Sequence, residues 1–170
     1  MPIDGCPYKF AELAKRELPK YLRKLDRALQ HPRSARLFVR YGSDKPRLLS
    51  KLLRESDFPG CYVFVDGTKP IYVGISMNVV NRIRQHLNSD SPYSASLAFK
   101  MANHEREPKM NRDSETWTRA QAKAFGDKQR YLRRLRVAFV PIRDIVTMYL
   151  FEVNVAVQFD TSPWNTFKPH

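Results

Sequence analysis

Residues 60–87, GCYVFVDGTKPIYVGISMNVVNRIRQHL, constrain this chain more than any other stretch. The runs GCYVFV and IYVGI are rich in β-branched and aromatic residues. Between them DGTKP supplies Asp-Gly and Pro turn chemistry, so the spacing predicts two strands joined by a short turn. Ser76 can then cap a helix whose Val79, Val80, Ile83 and Leu87 form an apolar stripe. Arg82 and His86, four residues apart, share the flank beside that stripe and point the same way.

The rest of the chain sets the frame for this hairpin. At 170 residues it suits one domain with a modest appendage, large enough to bury a core without disulfides or a structural metal. Cys6 and Cys61 are too few for a disulfide framework or a cysteine-rich zinc site. Cys61 sits in an apolar run that suits a small buried thiol, so a reducing compartment is expected. The start MPIDGCPYKF has no apolar signal core, and no stretch approaches the roughly 18 apolar residues of a membrane span. The expectation is a soluble, cytoplasmic protein. Thirty Lys and Arg against 17 Asp and Glu give +13, which points to a polyanionic partner. Charge alone does not separate nucleic acid from an anionic membrane surface, or from an ordinary solvated basic face.

Residues 1–57 read as a basic helical extension. Leu18, Tyr21, Leu22, Leu25 and Leu29 fall on one stripe interrupted by Pro19, and RLLSKLLRE repeats the pattern. This segment holds 14 Lys and Arg against 7 acids. It could pack on a core, support a dimer or grip phosphates. SDFPG then breaks the helical pattern. Beyond the hairpin, residues 92–104 predict a helix and EREPKMNRDSE an exposed loop. A further helix begins at Thr116 or Thr118, with a break expected at Gly126. In DKQRYLRRLR half the side chains are cationic, which suits either phosphate contact through Arg130, Arg133 and Arg134 or a solvated face. RVAFVPI predicts a third strand ended by Pro141. In the tail, FEVNVAVQF alternates like a strand. Helical spacing from an Asp144 cap instead gathers Ile145, Met148, Tyr149, Val155, Ala156 and Phe159 around a lone Glu152, and local evidence leaves both readings open.

Gly60-Cys61-Tyr62 and Tyr72-Val73-Gly74, followed by Arg82, Glu152 and then Asn165 in TSPWNTF, resemble the signature of the GIY-YIG nucleases. The resemblance runs from about residue 58 to the C-terminus. Arg82-x-x-x-His86 further resembles a restriction-enzyme-like branch. Cys61 and Val73 replace the isoleucines of the name, apolar for apolar. Ile75 puts no basic side chain after the second triplet, so phosphate contact there falls to Lys69 or Arg84. The resemblance implies an α+β fold: a small three-stranded antiparallel sheet flanked by helices, ordered β-β-α-β-α. It implies a domain over 58–170 with a helical insertion at about 91–135, and it decides the tail for helix.

The implied activity is divalent-metal-dependent endonucleolytic hydrolysis of DNA, by expectation duplex, by a protein that does not enter membranes and could act as a homodimer. Such a reaction needs an in-line water, neutralised phosphoryl charge and help for the departing oxygen. On the resemblance, Arg82 contacts the phosphate and Glu152 holds Mg²⁺, with Mn²⁺ as a substitute. Tyr62 is the general base or its relay. A phenol with a pKa of about 10 needs a neighbour to take its proton, and His86 is the candidate. Tyr72 orients the water or Tyr62, and Asn165 holds the site through hydrogen bonds. His170 closes the chain near the expected site. The alternative is a non-catalytic nucleic-acid-binding module on the same scaffold.

Overall fold

A computed structural model describes residues 3–41, 44–104 and 106–167; His170 lies outside them. In chain order the elements are a 3-10 turn Ile3–Gly5, α1 (Phe10–Glu12), a π turn Leu13–Glu17, α2 (Leu18–Gln30), β1 (Arg33–Ser34), α3 (Arg36–Arg40), α4 (Lys45–Lys51), β2 (Gly60–Asp66), β3 (Lys69–Ser76), α5 (Val79–Asn88), α6 (Ser96–Asn103), a 3-10 turn Ser114–Thr116, α7 (Arg119–Leu132), β4 (Arg136–Pro141) and α8 (Ile145–Gln158). Contacts divide the chain into two compact units. Unit 1 comprises residues 1–33, 57–79 and 136–170, and unit 2 comprises 34–56 and 80–135. The family-domain boundary expected at residue 58 is a different division from this one.

The sheet has the order β1-β4-β2-β3 with β2 antiparallel to both neighbours, and β2, β3 and β4 belong to unit 1. The two-residue β1 adds an edge that the sequence pattern did not suggest. Strand pleating sends Cys61, Val63 and Val65 to one face. There they bury against Val73, Ala138 and Val140, under Leu25 of α2 and Met148, Phe151 and Val155 of α8. Burying each such side chain stabilises by about 1.5–3 kcal/mol, which is why α2 and α8 lie on this face. The expected stripe Leu18, Tyr21, Leu22 and Leu29 flanks the same core half-buried. Pro19 does not interrupt the helix. It sits in the first turn of α2, where its missing N–H costs little, and the preceding turn widens to π geometry.

The hairpin closes over Gly67-Thr68, with Gly67 at φ 58. Its register shifts once: Phe64 faces Tyr72, but Val65 faces Pro70, so Ile71 is the extra residue of a bulge. Pro70 is tolerated there, on an outer strand. At the start of β2, a Cβ on Gly60 would run into the Val140 carbonyl oxygen of β4, so only glycine allows this approach without a shift.

The tail is helix. Asp144 caps α8, accepting bonds from Thr147 N at 2.7 Å and Thr147 Oγ1 at 2.5 Å. The alternation that mimicked a strand fails on burial, because Val153 and Val157 are exposed while Val155 is buried. The expected apolar face needs one correction: Tyr149 is 61% exposed, and Phe151 takes its place in the core.

Unit 2 holds α3, α4, α6, α7 and all but the first residue of α5. Thr118 caps α7 in a reciprocal pair with Gln121. The expected break at Gly126 does not occur. A mid-helix glycine costs only about 1 kcal/mol, and burial of Phe125, Gln129 and Leu132 on either side outweighs it. The stretch expected as an exposed loop buries Met110, whose backbone N–H and carbonyl are both bonded by the Asn103 side chain. Trp117 stacks on Phe99 at 6.0 Å and meets Phe125 edge-on at 5.1 Å.

Candidate active site

Of the unit 1 candidates, Tyr62 and Tyr72 lie on the hairpin. Tyr62 pairs with Gly74 across the strands and Phe64 with Tyr72, so both tyrosines stand on the sheet face opposite α2 and α8. Tyr62 is 1% exposed, its ring 6.1 Å from Phe64 and 6.2 Å from Tyr72. The ring lies across Gly74: a Cβ there would stand 2.5 Å from both Cζ and Oη of Tyr62. Gly74 therefore makes room for the phenol to reach the outer strand. Tyr72 is half-buried beside it.

Asn165 is fixed to the same strand. Its Oδ1 accepts from Val73 N at 2.9 Å and its Nδ2 donates to Val73 O at 2.8 Å. The side-chain amide thus pairs with β3 as another strand's backbone would, occupying its outer edge between Tyr72 and Gly74. The Asn165 N–H is in turn tied to Thr161 O at 3.1 Å, so the tail after α8 is folded onto that edge.

Glu152 lies on the middle of α8, half-buried, with burial pushing its carboxyl from the ordinary 4.5 to about 7. Its field also reaches Cys61, whose thiol is raised by burial first and by Glu152 second. No Lys, Arg or His among the described residues bonds to Glu152. The described residues likewise contain no cluster of three or more His, Cys, Asp or Glu side chains. A lone, half-desolvated carboxylate without a cationic partner fits a hard divalent ion that keeps most of its water shell. Cys61 belongs to the face that α8 covers, whereas Tyr62 and Tyr72 stand on the other.

In unit 2, Arg82 is held by its own helix and by the chain that follows it. Its Nη1 donates to Ser94 O at 2.7 Å and Gln85 Oε1 at 3.1 Å, and its Nη2 donates to Ser96 Oγ at 2.9 Å. Gln85, three residues on, is legible as a helix neighbour. Ser94 and Ser96 are not, because the chain first leaves α5 and turns. His86 shares the flank with Arg82 as expected but is fully buried. Burial first, and the Arg82 charge second, hold its imidazole well below the ordinary 6.5, so it is neutral near pH 7.

The remaining basic candidates divide by what they touch. Lys69 is exposed at the start of β3, Arg84 is half-buried on α5, and Arg134 is exposed just past α7. Arg130 is ion-paired with Asp127, which reduces the charge it presents. Arg133 Nε donates to Leu87 O at 2.8 Å, closing the last turn of α5, so it has a structural task whatever else it binds. Ser76 acts just before α5, its hydroxyl accepting from Asn78 N at 3.0 Å, while Val79 N bonds to Phe58 O.

Comparison with known families matches residues 58–128 to the GIY-YIG catalytic domain. Among solved structures, the N-terminal endonuclease domain of UvrC from Thermotoga maritima is similar. Its magnesium-bound form is 17% identical with a TM-score of 0.39, covering 72% of this chain and 98% of that one. A tyrosine-to-phenylalanine mutant of the same domain, bound to its catalytic divalent cation, is 17% identical with the same score, covering 73% and 98%. Among curated proteins none matches the chain. No helix among the described residues is long and apolar enough to cross a membrane.

Proposed function

We propose that the GIY-YIG catalytic domain carried by residues 58–128 makes this protein a divalent-metal-dependent endonuclease that hydrolyses phosphodiester bonds in DNA, by preference duplex. The observation that carries the metal dependence is Glu152, a half-buried carboxylate with no cationic partner among the described residues and a pKa raised to about 7. Such a group is costly as a bare anion and gains from a cation.

Mg²⁺, with Mn²⁺ as a substitute, bound at Glu152 would supply charge stabilisation at the phosphoryl and leaving oxygens. Arg82 binds the phosphate: its guanidinium is planar, does not titrate near neutrality, and is preoriented by Gln85, Ser94 and Ser96. Tyr62 is assigned as the general base for the attacking water or its relay, Tyr72 as the group that orients that water, and neutral His86 of unit 2 as a proton acceptor. Asn165 is a positioning residue that keeps β3 in place. Lys69, Arg84, Arg130, Arg133 and Arg134 contribute phosphate contacts or long-range attraction, Arg133 in addition to its bond to Leu87. The Arg82/His86 pair supports a restriction-enzyme-like branch. Two free, buried cysteines accord with a reducing compartment such as the cytoplasm. One site cuts one strand, so a double-strand break needs a second copy or a second encounter.

The test is incubation of the protein with supercoiled plasmid and Mg²⁺ or Mn²⁺, beside Glu152→Ala, Arg82→Ala and an EDTA control, with RNA digested in parallel. Metal-dependent nicking lost in both variants is expected. Salt-dependent DNA binding without any nicking would instead establish the non-catalytic binding module.

A further inference from the structure

The chain's charge is unevenly shared. Unit 2 has 18 Lys and Arg against 8 Asp and Glu, so it carries +10 of the total +13, although the tyrosines and Glu152 belong to unit 1. Within unit 2 lies a cleft of about 480 Å³ lined by Ser34, Arg36, Leu37, Val39, Arg40 and Arg133. No acidic side chain lines it. Among the described residues none of its three guanidiniums is paired with a carboxylate. Arg36 and Arg40 are exposed on α3, and Arg133 is anchored through Nε to Leu87 O.

The cleft continues into an ordered basic face. Two guanidiniums approach the Tyr41 ring, Arg40 at 5.5 Å and Arg47 at 5.3 Å from its centroid. Cation–π contact restrains long side chains that would otherwise lose entropy on binding a ligand. The nearby acid, Asp44, is engaged as the cap of α4, accepting from Arg47 N at 3.1 Å. Three unneutralised guanidiniums around one concavity repel one another. Forked donors of this kind match phosphate oxygens, and a row of phosphates relieves the repulsion.

We propose that this arginine-walled cleft of unit 2 grips the phosphate backbone of the nucleic acid on which the protein acts, through Arg36 and Arg40 from α3 and Arg133 from the end of α7. It rests on the endonuclease reading for the class of ligand. It adds that affinity is supplied from α3, in the basic segment before the hairpin, by contacts that read no base. Leu37 and Val39 form the apolar part of the lining against which sugars can pack.

The experiment measures binding of the full chain to a fluorescent 30-base-pair duplex in EDTA across a salt series, for wild type, Arg36→Ala/Arg40→Ala and a charge-matched control, Lys15→Ala/Arg23→Ala on unit 1. The exposed α3 variant is expected to bind about tenfold more weakly near 0.1 M salt. Its slope of log affinity against log salt should fall by about 2, one for each lost phosphate contact, with Arg36→Lys/Arg40→Lys restoring most of both. Unchanged affinity and slope would overturn the proposal, as would an equal loss in the control, which would mark general charge rather than a cleft. A loss of binding to anionic phospholipid vesicles, or of self-association, with duplex affinity intact would also overturn it by assigning the cleft to another occupant. A wild type that binds through Arg36 and Arg40 but never nicks plasmid would leave this site standing and remove the endonuclease reading.

Discussion

The phenol of Tyr62 lies over Gly74, its partner across the hairpin, so closely that a Cβ on Gly74 would stand 2.5 Å from the Tyr62 Cζ and Oη atoms. The glycine of the second triplet and the tyrosine of the first are therefore one packing unit. Gly74→Ala must displace a ring that is 1% exposed, and is expected to destabilise by about 1–3 kcal/mol and to cut nicking with it. Urea unfolding checks the first effect. Combining Gly74→Ala with Tyr62→Ala should recover part of the loss, since the clash then has no partner. Strictly additive losses would contradict this packing.

Glu152 fixes a pH dependence whose sign can be worked out. Its carboxyl is raised by burial to about 7 from 4.5, so between those values the folded metal-free protein holds a proton that the unfolded chain has released. Stability from this group is thus highest at low pH and falls as pH rises through that window. In EDTA at pH 8, Glu152→Gln should be more stable than wild type, by roughly 1–2 kcal/mol once partial exposure is allowed for. Mg²⁺ should stabilise wild type but not the variant, and its apparent affinity should weaken below about pH 7. Thermal unfolding across pH, with and without metal, reads all three.

His86 slopes the other way. Its folded pKa is held well below 6.5 by burial and by Arg82, so the unfolded chain takes up a proton first as pH falls. Its contribution to stability is present above about 6.5 and is lost as pH drops below it. Imidazole resonances in NMR spectra should show His86 not titrating between pH 8 and 6; an ordinary midpoint near 6.5 would contradict a His86 held neutral by burial and Arg82.

Arg82 depends on its supports. Arg82→Ala should lower nicking at least 100-fold, and Arg82→Lys should rescue little, because an ammonium cannot reproduce the fork tied to Gln85, Ser94 and Ser96. Ser96→Ala removes one of those bonds and is expected to cost several-fold in rate, with stability nearly unchanged. Single-turnover cleavage at saturating metal separates these variants.

Asn165 is a pairing group for β3, so Asn165→Asp is a sharper test than Asn165→Ala. The aspartate keeps an acceptor for Val73 N but sets a negative oxygen against Val73 O. It is expected to destabilise by about 1–3 kcal/mol, at least as much as alanine. Amide hydrogen exchange at Val73 should quicken in both. An aspartate variant with wild-type protection would argue against the bidentate pairing.

Local pattern carried the hairpin, α5 and β4 directly. Turn chemistry, period-two runs and an apolar stripe are short-range signals, and the structure follows them apart from the bulge after Phe64 and a strand that begins at Lys69 rather than Ile71. The tail was not legible in this way. Residues 151–159 alternate, and helix wins only because Asp144 caps it while Met148, Phe151 and Val155 find the sheet face built by Cys61, Val63 and Val140. Gly126 was misleading for a related reason: its cost to α7 is local, and burial of its neighbours is not.

The candidate site divides along the same line. Residue types and their order, through the resemblance they carry, by themselves picked out the candidate side chains: Tyr62, Tyr72, Arg82, His86, Glu152 and Asn165. Only the tertiary structure decided their states. It folded Asn165 back 92 residues onto Val73, tied Arg82 to serines beyond its own helix, buried His86 until it is neutral, and left Glu152 half-desolvated without a counter-ion among the described residues. Desolvation and pairing are properties of a surrounding assembled from distant segments, and no local stretch of sequence contains that surrounding.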